Sequence, residues 1–125
     1  LNVINDLTIW YDQDTLKQIL LNLINNAILY NREYGYVEVS VVQLEYEVQI
    51  CIQDNGIGIK NHEQTRIFER FYRVDKDRSR NSGGTGLGLS IVRHMVENTG
   101  GKITLESKLN KGSSFCVYLP LGKKM

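Results

Sequence analysis

The sequence predicts an α+β fold, a two-layer α/β sandwich with about three helices on one face of a mixed, mostly antiparallel sheet. The first reason is that strand-like segments come in adjacent pairs, near 37–41 with 48–52 and near 103–106 with 113–119. The second is that the helix-like segments lie between these pairs rather than between single strands. This arrangement is typical of antiparallel sheets whose helices collect on one face.

The first part of the chain predicts a short strand at 7–11 and then a helix capped within 12–14. Beside the apolar stripe of this helix, Asn22, Asn26 and Tyr30 follow at i, i+4 and i+8. Such a line is either a polar flank or the wall of a polar cleft, where an amide oxygen could bind Mg²⁺. The apolar stripe itself consists of Leu16, Ile19, Leu20, Leu23, Ile24 and Ala27.

The second strand of the first pair runs into Asp-Asn-Gly-Ile-Gly-Ile at 54–59. Asn-Gly between apolar segments usually indicates a hairpin turn. However, the residues after Ile59 are too charged to return as a partner strand. A carboxylate at a strand end, as Asp54 is predicted to be, could instead accept a hydrogen bond from the amine of a nucleotide base.

Residues 61–73 predict a short helix with a cap formed by Asn61 and Gln64. One face is apolar and another carries arginines, which form either a solvated surface or contacts to phosphate groups. The next segment, 75–84, has no periodicity and is predicted to be a flexible lid. The apolar face comprises Ile67, Phe68 and Phe71, and the basic face Arg66, Arg70 and Arg73.

A glycine-rich stretch at 83–90 leads into a helix predicted from about Thr85 to the glycines at 100–101. It is either a flexible loop or a phosphate-binding device, because free N–H groups and the positive end of a helix dipole attract anions. A Walker loop is excluded because Gly101-Lys102 is followed by Ile103, and a Rossmann turn because no strand precedes the glycines. A turn at 111–112 then joins the last two strands, and Pro120 ends the sheet.

The composition of the 125 residues is that of one ordinary globular domain, 42% hydrophobic and 23% charged. Fifteen basic and fourteen acidic residues give a net charge of +1, so nucleic acid is not an expected partner. No apolar run approaches the roughly 20 residues of a membrane span. Cys51 and Cys116 lack the spacing of metal ligands, and we expect two free thiols in a reducing compartment.

Four motifs together resemble the N, G1, F and G2 boxes of bacterial sensor histidine kinases. They are Asn-Asn-Ala at 25–27, Asp-Asn-Gly-Ile-Gly-Ile at 54–59, Phe-Glu-Arg-Phe-Tyr-Arg at 68–73 and Gly-Gly-Thr-Gly-Leu-Gly-Leu-Ser-Ile at 83–91. The match covers nearly the whole chain and looks most like kinases of the phosphate-regulon or cell-wall-sensing type. The resemblance implies the Bergerat ATP-binding fold shared by these kinases, gyrase, Hsp90 and MutL.

The resemblance also implies roles for individual residues. Asp54 would bind the adenine amine, Asn26 would hold Mg²⁺, and Ser113 would contact the base through water. Gly56 and Gly58 would let the nucleotide approach. The nucleotide-binding set would be Asn26, Tyr30, Asp54, Gly56, Gly58, Ile59, Tyr72, Arg73, Gly84, Thr85, Gly86, Leu87, Gly88, Leu89 and Ser113, and the catalytic set Arg70, Arg73 and Asn22.

Three positions depart from the pattern of related proteins. Asn22 stands where the ATPases of the superfamily have the glutamate that activates water, four residues before Asn26, so we expect poor hydrolysis. Leu29 replaces the usual lysine, and Asn31 replaces the usual threonine or serine. Loss of one charge-assisted contact would weaken ATP binding by about 1.5–3 kcal/mol. Compensating contacts would come from Arg70, Arg73 or Lys76.

Neither His62 nor His94 lies in the kind of sequence that these kinases phosphorylate, so we expect both to be surface residues. The chain 1–125 would therefore be the ATP-binding catalytic domain of a longer protein. Its partners would be a phosphoacceptor-histidine dimerisation domain and a response regulator. The isolated domain would be a cytoplasmic monomer and the full-length protein a membrane-anchored homodimer. A degenerate nucleotide-binding regulatory module, an anti-sigma serine kinase and a hydrolytic ATPase stay open as alternatives.

Overall fold

The computed structural model describes residues 12–69 and 88–121, which contain three helices and four strands. None of these helices is long and apolar enough to cross a membrane. In chain order the elements are α1 (Gln13–Leu29), β1 (Val37–Gln43), β2 (Glu47–Asp54), α2 (Asn61–Gln64), α3 (Gly88–Asn98), β3 (Lys102–Lys108) and β4 (Gly112–Pro120).

The four described strands form one antiparallel sheet in the order β1-β2-β4-β3. Each predicted pair is a hairpin, and β2 and β4 join the two hairpins at the centre of the sheet. Their register places Asp54 opposite Ser113 and Val48 opposite Leu119. All four predicted strands of these hairpins are confirmed, whereas the strand predicted at 7–11 lies outside the described residues.

Helix α1 begins where the sequence predicts, because Asp12 caps it. The Asp12 carboxylate accepts hydrogen bonds from the backbone N–H of Thr15 at 2.8 Å and from its hydroxyl at 2.6 Å. The cap satisfies donors that the first turn of a helix leaves without partners. The apolar stripe of the helix faces the core, where Ile19, Leu23 and Ala27 are buried.

The core lies between the helices and one face of the sheet. Alternate residues of the central strands point into it, including Ile50 and Ile52 of β2 and Phe115 and Val117 of β4. Burying a side chain of this kind stabilises the fold by roughly 1.5–3 kcal/mol. The opposite face of the sheet carries the intervening, more polar residues, so the period-two alternation of the strands separates core from solvent.

Helix α3 closes the core next to α1, with Val92 and Val96 buried. It ends at Asn98 and is followed by Gly100 with a φ of +86°, which confirms the predicted glycine end. The predicted start near Thr85 lies outside the described residues, as does the predicted lid at 75–84.

The helix predicted over 61–73 is wrong in its length and in its cap. Helix α2 ends at Gln64, its N-cap is Lys60, and no side chain of the described residues caps it with a hydrogen bond. The chain then continues in turns to 69, because tertiary packing overrides helical periodicity there. Ile67 is buried, and the Phe68 ring meets Phe115 edge-on at 6.3 Å between centroids.

The prediction of two free thiols is also wrong. Cys51 and Cys116 lie directly opposite each other in β2 and β4, and they form a disulfide. The two residues are separated by 65 positions in the sequence. Spacing along the chain could not reveal the bond, because it depends on which strands become neighbours in the sheet.

Candidate functional site

Asp54 and Ser113 form the centre of the candidate site, at the point where β2 ends and β4 begins. Both are buried, with 6% and 8% of their surface exposed. Oδ1 of Asp54 accepts the backbone N–H of Gly56 at 2.8 Å and that of Ser113 at 3.3 Å. Within the described part of the chain, no donor reaches Oδ2. The carboxylate therefore has an acceptor atom available to a ligand.

The environment of Asp54 shifts the pKa of its carboxyl group. Burial raises the pKa of the Asp54 carboxyl, and the N–H groups of Gly56 and Ser113 counteract part of that rise. A buried carboxylate that is not paired with a cation is costly to charge. Perturbed carboxyl groups of this kind are concentrated at functional sites.

The segment 54–59 is not a hairpin turn, in agreement with the interpretation of its sequence. The N–H of Ile57 donates to the carbonyl of Tyr30 at 3.2 Å, and the N–H of Asn110 donates to the carbonyl of Ile57 at 2.8 Å. One bond reaches the end of α1 and the other the turn between β3 and β4. The segment is thus held between two elements that are distant in sequence.

The glycines of this segment have a structural reason that the sequence did not reveal. A Cβ atom on Gly56 would collide with the carbonyl oxygen of Tyr30. A Cβ atom on Gly58 would collide with that of Lys108, and the φ of Gly58 is +73°. The protein's own backbone therefore requires both glycines. That they also let a nucleotide approach stays a prediction.

Helix α1 presents the predicted asparagines on a half-buried flank. Neither the amide of Asn22 nor that of Asn26 forms a hydrogen bond within the described residues. A Cβ atom on Gly88 would lie 3.8 Å from Oδ1 of Asn22, so the described beginning of α3 meets α1 there. Half-buried amides without protein partners suit a polar ligand or a hard cation such as Mg²⁺.

Several predicted residues cannot be placed relative to this site. The structure brings together Asp54, Ser113, Gly56, Gly58 and Ile59 at one end of the sheet. It also brings Gly88 to Asn22 on α1, the helix that carries Asn26 and ends at Tyr30. Leu89 follows in the first turn of α3. Arg70, Tyr72, Arg73, Lys76, Gly84, Thr85, Gly86 and Leu87 lie outside the described residues.

Sequence reasoning did not predict that the side chains of Ser107 and Gln64 hold Ile59. Ser107 Oγ accepts the N–H of Ile59 at 2.8 Å, and Gln64 Nε2 donates to its carbonyl at 2.8 Å. No local signal marks Ser107, because its importance depends on β3 lying beside β4. An open pocket of about 540 Å³ adjoins the site and is lined by Gln53, Asp54, Gln64, Leu105, Glu106, Ser107, Lys108, Lys111, Gly112, Ser113 and Ser114.

Comparison with known proteins identifies the family. A model described as histidine kinase-, DNA gyrase B-, and HSP90-like ATPase matches residues 11–123. The chain belongs to this ATPase family. The resemblance found in the four sequence motifs is therefore confirmed.

The curated relatives of this ATPase-family domain include sensor histidine kinases. The chain is 46% identical over 112 residues to sensor histidine kinase RppB of Synechocystis sp., covering 90% of this chain and 25% of RppB. It is 44% identical over 117 residues to sensor histidine kinase WalK of Bacillus subtilis, covering 92% of this chain and 19% of WalK. The chain thus spans a quarter or less of the length of these relatives.

Solved structures confirm the predicted fold of the ATPase-family domain. The mycobacterial sensor histidine kinase MprB aligns with a TM-score of 0.76 at 28% identity, covering 91% of this chain and 75% of that one. The catalytic domain of histidine kinase ThkA aligns with a TM-score of 0.75 at 32% identity, covering 88% of this chain and 68% of the ThkA chain. Full-length ShkA in complex with AMPPNP gives 0.80 at 30% identity, covering 94% of this chain and 24% of ShkA.

Proposed function

We propose that this domain binds Mg²⁺-ATP and donates the γ-phosphoryl group to a histidine on a separate phosphoacceptor domain. The observation that carries the proposal is the buried Asp54 carboxylate, which lies next to Ser113. Its Oδ2 accepts no hydrogen bond from the described residues. An acceptor at that depth suits the exocyclic amine of adenine. The sensor histidine kinases among the relatives support the choice of reaction.

Different residues would contact the base, the metal and the phosphates. Asp54 would accept from the adenine amine, Tyr30 would pack on the base, and Asn26 would offer its amide oxygen to Mg²⁺. The metal, when bound, would neutralise charge on the phosphate oxygens. No cluster of three acidic, histidine or cysteine side chains that could hold a metal occurs among the described residues, so we expect phosphate oxygens to supply further ligands.

The glycine-rich segment and the predicted arginines would position the phosphates. Gly88, at the described beginning of α3, lies close to Asn22, so phosphates on Mg²⁺ near Asn26 would meet the positive end of this helix. Arg70 and Arg73 would stabilise the charge of the moving phosphoryl group. With Asn22 in place of a glutamate, no carboxylate at this position of α1 would activate water, so we expect little hydrolysis.

The acceptor and the downstream partner would lie outside this chain. His62 and His94 are exposed, as predicted for surface residues. Because neither lies in the kind of sequence that these kinases phosphorylate, we infer a phosphoacceptor-histidine dimerisation domain and a response regulator receiver domain as partners. The isolated domain would be a cytoplasmic monomer. The full-length protein would be a homodimer anchored in the bacterial membrane.

A regulatory module that no longer uses ATP is the second candidate, because Leu29 supplies no charge where the kinases usually have lysine. Leu29 is the last residue of α1, one position before Tyr30. If no other cation replaced the lysine, the site would hold nucleotide too weakly for catalysis.

Calorimetric titration with ATP, with and without Mg²⁺, tests the proposal. We expect binding that depends on Mg²⁺ and is lost in Asp54→Asn. Asp14→Asn is the matched control, since Asp14 is an exposed carboxylate in the first turn of α1. Absence of binding by the parent chain would favour the regulatory module. A second assay with an added phosphoacceptor domain should yield acid-labile phosphate on histidine.

A further inference from the structure

The loop 31–36, between α1 and β1, begins with one of the three positions that depart from the usual kinase pattern. Asn31 stands where these kinases usually have threonine or serine. Its amide lies across the loop, because Oδ1 accepts the N–H of Arg32 at 2.9 Å and Nδ2 donates to the carbonyl of Tyr36 at 2.9 Å. A Cβ atom on Gly35 would collide with Oδ1 of Asn31, so the loop leaves room for this amide only because residue 35 is glycine.

The backbone of Tyr36 is held on both sides by asparagine side chains. Its carbonyl accepts from Asn31, and its N–H donates to Oδ1 of Asn55 at 2.7 Å. Since Val37 pairs with Asp54 in the sheet, the bond between Tyr36 and Asn55 extends the pairing of β1 with β2 by one residue. We call this arrangement of Asn31, Tyr36 and Asn55 the asparagine clamp.

The asparagine clamp lies beside two direct contacts between the end of α1 and the segment 54–59. The N–H of Ile57 donates to the carbonyl of Tyr30 at 3.2 Å. A Cβ atom on Gly56 would collide with the backbone of Tyr30 and of Asn31, so the two backbones pack directly on each other. The clamp therefore adds side-chain hydrogen bonds to a junction that is already closely packed.

We propose that Asn31 is a positioning residue, which keeps the Mg²⁺ ligand on α1 at the correct distance from the carboxylate that binds the base. The inference rests on the proposed ATP-binding function. Asn26 lies on α1 and Asp54 begins the segment 54–59, so a bound ATP would bridge the two elements that the clamp joins. A second contact of one ligand adds its full affinity only when the geometry allows both contacts at once. Asn31 thus acts on the contribution of Mg²⁺ without touching the nucleotide.

Titration of the 125-residue chain with ATP in Mg²⁺ and with adenosine tests this role. Adenosine has no phosphates to share with the metal, and its weaker binding is measured by competition with ATP. In Asn31→Ala we expect the affinity for Mg²⁺-ATP to fall about three- to tenfold, as for the loss of one hydrogen bond. The affinity for adenosine should stay within about twofold of the parent value. Gln18→Ala is the matched control, because it removes an exposed amide from α1 and should leave both affinities unchanged.

Variants of Asn55 show whether Asn31 acts through the clamp. Asn55→Ala removes the other side of the clamp, so Asn31→Ala should weaken Mg²⁺-ATP binding little further in that background. Hydrogen exchange without nucleotide provides a second readout. The Tyr36 amide should exchange faster in Asn55→Ala and stay protected in Asn55→Asp, which keeps an acceptor for it. If Asn31→Ala does not fold, Asn55→Ala serves in its place in the nucleotide titrations.

The outcomes also distinguish this inference from the proposed function. Equal losses of affinity for Mg²⁺-ATP and adenosine in Asn31→Ala would overturn the inference, since they would reveal only a structural role. Unchanged affinity for Mg²⁺-ATP would overturn it as well. In both cases the proposed function stands if the parent binds Mg²⁺-ATP and Asp54→Asn does not. If the parent binds no ATP, the proposed function fails first and the inference fails with it.

Discussion

Ser113 donates its backbone N–H to Oδ1 of Asp54 at 3.3 Å, across the register pair that joins the end of β2 to the beginning of β4. The same carboxylate oxygen accepts from Gly56, so two backbone donors favour its charged form. Burial acts in the opposite direction and more strongly, and it raises the pKa of Asp54. The candidate site therefore holds a carboxyl group that loses its proton less readily when the protein is folded.

Asp54→Asn should change how stability depends on pH. With a raised pKa in the folded state, Asp54 contributes stability that is fully present below its unfolded pKa. That contribution is lost as pH rises through the folded pKa. Relative to the parent, the Asn variant should therefore gain stability as pH increases through this window. Urea unfolding at several pH values measures the difference. Parallel profiles for parent and variant would show that burial does not control the pKa of this carboxyl.

A pair of glycine substitutions tests how tightly the segment 54–59 is held. Gly58 and Gly100 both have positive φ, +73° and +86°, so alanine is strained at either position. Around Gly100, no described residue other than its neighbours in the chain has an atom within 4 Å of a new Cβ, whereas at Gly58 the Lys108 carbonyl obstructs it. We expect Gly100→Ala to cost about 1–2 kcal/mol of unfolding free energy. Gly58→Ala should cost roughly 1–3 kcal/mol more. If urea unfolding gave the same loss of unfolding free energy for both substitutions, the segment 54–59 would be able to move away from Lys108.

Local sequence patterns predicted most of the fold, because the interactions behind them involve residues that are close together in the sequence. The cap at Asp12 and the apolar stripe of α1 act within a few residues, and strands β2, β3 and β4 alternate between core and solvent. The length of α2 was not predictable in this way, since packing of Ile67 and Phe68 ends the helix early.

The site was predictable only in part, for a related reason. Asp54 could be singled out because a carboxylate at a strand end stands out in the sequence. The pairing of β2 with β4 is not local, and it decides that Asp54 faces Ser113 and that Cys51 meets Cys116. Likewise, Ser107 contacts Ile59 only when the hairpin β3–β4 lies beside the segment 54–59.

Leu29→Lys should strengthen ATP binding if the usual lysine contact is missing from this site. A charged hydrogen bond contributes about 1.5–3 kcal/mol, so the affinity should rise at least tenfold. Ile28→Lys is the matched control, because Ile28 is the neighbouring residue, 61% exposed, and the substitution adds the same charge at the same helix end. Calorimetry with ATP compares the two. Equal affinities would indicate that another cation already meets the phosphate or that the site is arranged differently.

Reduction of the Cys51–Cys116 disulfide should destabilise the fold. The bond closes a loop between residues 65 positions apart, and it joins the two central strands of the sheet. A crosslink of this kind contributes about 2–4 kcal/mol, chiefly by restricting the unfolded chain. The melting temperature should therefore fall when dithiothreitol is added. The double variant Cys51→Ser, Cys116→Ser should melt near the reduced parent and should not respond to the reductant. Complete alkylation of both thiols in folded protein that has never been reduced would contradict the bond itself, and the predicted loss of stability would have no cause.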